Sequence, residues 1–287
     1  MSIAEVVCSR CRLAQRLSSP ERAASKSNAR SAAGALGRAL DAAVISDAAA
    51  GGAAASRKVA AEVESLYWRA IGALTKHAPG SEALALCLAG LSAFLQDGFV
   101  CGVETGVLAA VAADDLPAAQ ARLEKALDVA ERACLEAGVD STELDRYSGQ
   151  SVPSEGVSRG RQLARSAASQ RRALVLAALA QRANADERAA VWGRAVRSQF
   201  AACRWAVGGG QTHPGLILGL VHLARLLPLA PAGELASAAG EFVRVEVGSW
   251  RPDWARSGKA AEQAACLARL RPDLVTAISP VSQVVLV

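Results

Sequence analysis

Aromatic side chains make up only 4% of the 287 residues, and the β-branched residues are mostly scattered. That scarcity argues against a sheet protein, whose strands draw on both classes. Histidine is nearly absent: His77, His213 and His222 stand alone, so no Ser-His-Asp or Cys-His nucleophile can be assembled with any preference. Lysine is sparse too, five against 27 arginines. The start, Met-Ser-Ile-Ala-Glu-Val-Val-Cys-Ser-Arg, has no long apolar core of a secretory signal, and Glu5, Glu21, Asp41 and Asp47 count against a transit peptide. Of the longest apolar runs, Ala83 to Gln96 is too short to span a membrane, and Trp205 to Ala224 is broken by Gly208, Gly209, Gly210 and Pro214. A membrane span is therefore not expected.

What is present is an apolar fraction of 52%, dominated by alanine and leucine, which favours helix and suffices for a sizeable core. The seven cysteines, at 8, 11, 87, 101, 134, 203 and 266, lie mostly in apolar helical stretches, where a reduced thiol acts as a small hydrophobe. An odd number of this kind implies a reducing compartment, and the expected location is cytoplasmic or within a virion.

Along the chain, Ser2 and Glu5 have capping-box spacing, and Ser19-Pro20-Glu21 starts a second helix that could reach Ala50. Gly51-Gly52 is expected to stop it. Val59, Val63, Leu66, Tyr67, Ala70, Ile71 and Leu74 then recur at helical spacing, ending at Pro79-Gly80. Further helices are expected from Ser81 to Leu95, from Phe99 to Ala113, and from Asp114-Asp115-Leu116-Pro117 to Gly138. Residues 148–156 read as the clearest loop and the expected subdomain boundary. Helices follow over Val157 to Ala183, Glu187 to Ala206 and Leu216 to Leu227. Glu234 to Gly248 is ambiguous, since Val243, Val245 and Val247 alternate as a strand would, and helix is preferred. A last helix covers Ser257 to Leu270. The expected fold is all-α: a multi-helix bundle of two subdomains (59–150 acidic, 151–278 arginine-rich), with a basic helical N-terminal arm (1–58) and an extended apolar C-terminal tail (279–287). No repeat of 20 to 50 residues recurs; Leu116 to Cys134 resembles one helix of a tetratricopeptide unit, but a single helix is no repeat.

Several local patterns touch on chemistry and fall short of it. Cys8-Ser-Arg-Cys11 could supply half a zinc site, yet no second pair accompanies it. The stretch Gly208-Gly209-Gly210-Gln211-Thr212-His213-Pro214 lacks the Lys and Ser/Thr of a P-loop, and Ser257-Gly258-Lys259 lacks the upstream glycine. Asp114-Asp115 precedes Pro117 and reads as a helix cap rather than a magnesium-binding aspartate pair. Trp250, Arg251, Pro252, Asp253 and Trp254 could stack on bases, but suit an interface or core better. No metal or cofactor is expected.

Charge is strongly segregated. Residues 1–58 carry nine basic and four acidic side chains (net +5), 59–156 carry six and fifteen (net −9), 157–204 carry ten and two (net +8), and 205–287 are near neutral at +1. A GC-rich genome would inflate arginine together with alanine and glycine, but arginine is also the side chain best suited to phosphate and carboxylate. Arg161 and Arg165 are four apart, and seven more residues reach Arg172, so the three share one helix stripe that repels itself unless an anion is supplied. Such a segment can line a groove for a phosphate backbone, pair with the acidic segment of its own chain, or pair with that of a second copy. Two solvated faces of opposite sign are the plain alternative.

The leading expectation is a structural, self-associating, non-enzymatic protein of coat or nucleocapsid type. Its partners would be further copies of itself and a nucleic acid, RNA in preference to DNA. The candidate nucleic-acid-binding residues are Arg159, Arg161, Arg165, Arg171, Arg172, Arg194, Arg197 and Arg204. The rivals are a helical adaptor or scaffold for another protein, and an all-α enzyme whose site is assembled from scattered residues.

Overall fold

The computed structural model describes residues 52–97, 99–100, 103–104, 116–147, 157–208, 215–229 and 233–248. The expected helices before residue 51, the last helix at 257–270, the cluster from Trp250 to Trp254 and the apolar tail at 279–287 lie outside them. The described residues form eight α-helices and one two-residue antiparallel ladder. The protein is all-α. Its chain divides into two compact units, Met1–Val139 and Asp140–Val287. The division falls ahead of residues 148–156, the expected boundary, which lie outside the described residues, so that the segment carrying Asp145 and Tyr147 goes with the arginine-rich helices.

In the first unit, α1 (Gly52–His77), α2 (Glu82–Asp97) and α3 (Leu116–Ala137) pack together. The expected stop at Gly51-Gly52 is thus the start of α1, which takes in 52–58 of the expected N-terminal arm. Helix α2 is apolar almost all round, burying Leu84, Leu88, Leu91, Phe94 and Leu95 among others, as a central helix must. Close approach on its two sides has separate causes. Against α3, the buried side chains of Ala126, Ala130 and Ala133 are small, and Ser92 Oγ donates to the Ala126 carbonyl at 2.7 Å. On the α1 side, Gly90 leaves space for Tyr67, whose hydroxyl oxygen would stand 3.1 Å from a Cβ added there.

Helix α3 ends in a Schellman arrangement: Gly138 has φ +76°, its N–H donates to Leu135, and the Val139 N–H reaches back to Cys134. Phe99 to Ala113 was expected to be helical throughout. Instead β1 (Phe99–Val100) pairs antiparallel with β2 (Val103–Glu104), Phe99 opposite Glu104 and Val100 opposite Val103. The physical reason is local: an aromatic and two valines favour extended backbone, and two intervening residues suit a tight hairpin.

In the second unit, α4 (Ser141–Asp145) is capped by Asp140, whose side chain accepts the Thr142 N–H at 2.8 Å. Helices α5 (Arg159–Arg182) and α6 (Ala185–Gly208) form a long hairpin. Ser158 Oγ caps α5 by accepting the Arg161 N–H, and Asn184 Oδ1 caps α6 by accepting the Glu187 N–H. Helix α7 (Gly215–Leu226), a 3₁₀ turn (Leu227–Leu229) and α8 (Glu234–Gly248) complete the unit. Glu234 to Gly248 is helical despite its alternating valines: Ala239, Phe242 and Val243 recur at spacings of three and four on the buried face, while Val245 is exposed.

Candidate nucleic-acid interface

The interior of the hairpin is polar to an unusual degree. Apart from Ser92 in the first unit, every buried polar or charged side chain among the described residues lies on α5 or α6: Gln162, Ser166, Ser169, Arg172, Ser198 and Gln199. Small residues such as Ala164, Ala168 and Ala173 let the two helices approach, and Arg172 on α5 reaches Ser198 on α6 between them.

Arg172 is the largest of them and has no exposed surface. Its Nη1 donates to Ser198 Oγ at 2.7 Å and its Nη2 to Asp145 Oδ1 at 3.0 Å. The second oxygen of Asp145 accepts from Arg194 Nε at 3.0 Å. One carboxylate at the end of α4 therefore joins α5 to α6 through two guanidinium groups. This takes Arg172 out of the surface stripe expected for it, because a cation with no exposure cannot meet an external phosphate. A stripe read from spacing alone does not say which of its members a neighbouring element covers.

The other candidates keep some surface. Arg159 is exposed in the first turn of α5, and Arg161 and Arg165 are half-buried one turn apart. Burial first, and then the Arg161 charge, lower the Arg165 pKa from its ordinary value. Arg171 is half-buried on the same helix. On α6, every residue from Trp192 to Ala206 is buried except Arg194, Arg197 and Arg204. The solvent-facing seam of the central helix is thus arginine alone. Arg194 is tied to Asp145, and the Arg204 guanidinium lies 5.5 Å over the ring of Phe242. Phe242 in turn packs on Phe200, and Phe200 meets Tyr147 edge-on at 5.5 Å. Burial raises the Tyr147 pKa while the Arg204 charge opposes the shift, and Glu246 is likewise raised by burial with Arg204 opposing it.

These described residues of the second unit hold thirteen arginines and no lysine against eight acidic side chains, a net +5. Sequence reasoning gave the arginine seam its members but missed Asp145, which was counted with the acidic segment before the loop. Asp145 has no motif signal: only the fold shows that it faces Arg172.

Ser166, Gln170, Gln199, Cys203, Gly219 and their neighbours line a cavity of about 10 Å³, room for a water and not for a substrate. Gln199 Nε2 donates to the Gly219 carbonyl there at 3.0 Å. Among the described residues no three His, Cys, Asp or Glu side chains are grouped as metal ligands, and no helix is long and apolar enough to cross a membrane. Comparison with protein-family models, curated proteins and solved structures found no match.

Proposed function

We propose that the chain is a structural, non-catalytic helical protein whose second unit binds nucleic acid, RNA in preference to DNA, and which assembles with further copies of itself. The observation that carries the reading is the all-arginine cationic surface of the helical hairpin, with Arg159, Arg161, Arg165, Arg171 and Arg197 as its contact residues and Arg172 no longer among them. Guanidinium groups neutralise phosphates and release condensed counterions, and a hairpin of two 24-residue helices holds them in fixed positions. The self-association part rests on the uncharged apolar sequence at 279–287, which would rather be covered than solvated.

The test is fluorescence anisotropy of a labelled single-stranded RNA titrated with the protein at low and at moderate salt, with a DNA of the same sequence beside it. Binding that weakens steeply with salt is the expected result, and no binding at low salt overturns the proposal. Size-exclusion chromatography over a range of concentrations tests the assembly.

One observation favours the helical scaffold as a second reading. Asp145 bridges Arg172 and Arg194 inside the unit, so part of the arginine content serves packing. Folded, monodisperse protein without RNA affinity would support it.

A further inference from the structure

Arg197 occupies the middle of the arginine seam on α6, three residues after Arg194 and seven before Arg204, so all three lie on one stripe. Its two companions have identified roles: Arg194 is bonded to Asp145 and Arg204 is stacked on Phe242. Arg197 is half-buried, and among the described residues it has no hydrogen-bond or ion-pair partner. Its guanidinium is folded back along its own helix, where a Cβ on Gly193 would come within 3.1 Å of Nη1. The absence of a side chain at Gly193 is what leaves room for that position.

A guanidinium stays charged at any ordinary pH and presents five donors in a planar fork. Half-burial removes part of its water, and two like charges on the same stripe raise its potential further. An oxyanion relieves both conditions, since it accepts two parallel N–H bonds and brings opposite charge. Asp145, the carboxylate bonded to Arg194 on the same seam, already has one oxygen on each of two other guanidinium groups. A phosphate group matches this setting better than a single carboxylate does, because it offers more acceptor oxygens and more charge to a row of cations.

We propose that Arg197 is the contact residue of an oxyanion site on α6 that takes a phosphate group, with Gly193 holding the space for its guanidinium. The site binds free phosphate as well as the phosphate of a nucleic acid, so it stands or falls separately from RNA binding.

The probe is inorganic phosphate, titrated at constant ionic strength against chloride, with thermal melting of the full chain as the readout for the wild type, Arg197→Gln, Arg197→Lys and Gly193→Ala. Phosphate is expected to raise the wild-type melting temperature by a few degrees. Arg197→Gln should weaken the apparent affinity about tenfold, the cost of a lost charge-assisted hydrogen bond, and Arg197→Lys should restore only part of it. Gly193→Ala should weaken it while the charge is kept. Equal shifts in the wild type and Arg197→Gln, or no shift in the wild type, would overturn the site; the ligand-free melting temperatures show that each variant is folded. Adding labelled single-stranded RNA then separates the sources: competition with phosphate places a nucleic acid on the seam, whereas phosphate binding without RNA binding keeps the site and removes the function proposed above.

Discussion

The Asp145 carboxylate stands 3.0 Å from the guanidinium of Arg172, a side chain sealed completely from solvent, while its other oxygen holds Arg194 at the same distance. Removing the carboxylate would leave a cation in the interior without its carboxylate partner, which costs about 3–5 kcal/mol. Asp145→Ala is therefore expected to lower the urea midpoint of the second unit sharply. Arg172→Met should cost less, about 1–2 kcal/mol, because it removes the buried charge itself and leaves Asp145 with Arg194 and partial exposure. Equal costs for the two variants would show that the pair does not work in this way.

His222 makes the second unit acid-sensitive. Burial, and then the charges of Arg225 and Arg171, push its pKa from the ordinary 6.5 down to about 4. A depressed histidine pKa means that the unfolded chain takes up the proton first. Stability is thus intact above 6.5, falls as the pH drops from 6.5 towards 4, and levels off below, with a slope of up to about 1.4 kcal/mol per pH unit. Denaturation midpoints measured across that window should decline in the wild type and stay flatter in His222→Leu. A wild-type midpoint that does not move would contradict the assignment.

Cys203 is expected to be chemically silent. Burial, with a further contribution from the Glu246 charge, pushes its thiol up to about 12, against the lowering effect of its Gln199 hydrogen bond. The thiolate is the reactive form, so iodoacetamide should leave Cys203 unmodified in the folded protein and label it in denaturant. Peptide mapping by mass spectrometry reads this directly; rapid labelling of the native protein would be the contrary result.

Gly90 decides between two opposing effects. Helix propensity alone predicts that Gly90→Ala stabilises α2 by about 1 kcal/mol. The added methyl would instead meet the Tyr67 hydroxyl at 3.1 Å and the ring at 3.2 Å, and Tyr67 is itself buried and stacked near Phe94. A net loss of about 1–2 kcal/mol in the first unit is expected. A gain on calorimetry would mean that Tyr67 moves aside freely.

Most helices were legible because their start and stop signals are local. Pro117 near the start of α3 and Gly138 at its end act through their own backbone and Asn184 ahead of α6 through its side-chain oxygen, and the expected limits agree with those observed within a few residues. The hairpin at Phe99–Glu104 was not legible as such, since a short apolar run satisfies helix and strand patterns alike. The candidate interface was read only in part. Spacing correctly put Arg161, Arg165 and Arg172 on one stripe, but burial depends on which neighbour covers that stripe, and this is a tertiary property. The Asp145–Arg172 bond spans 27 residues and crosses the stretch 148–156 expected to separate the charged segments, so no local pattern could announce it.

The absence of lysine from the described second unit also governs how its charge can be altered. Acylating reagents and acetyltransferases act on amines, which among the described side chains means Lys76 and Lys125 of the first unit, and they have no target among the described cations of the second. Nor does a shift of pH within the physiological range discharge guanidinium. The cationic surface can be covered by an anion, but among these residues amine chemistry cannot erase it.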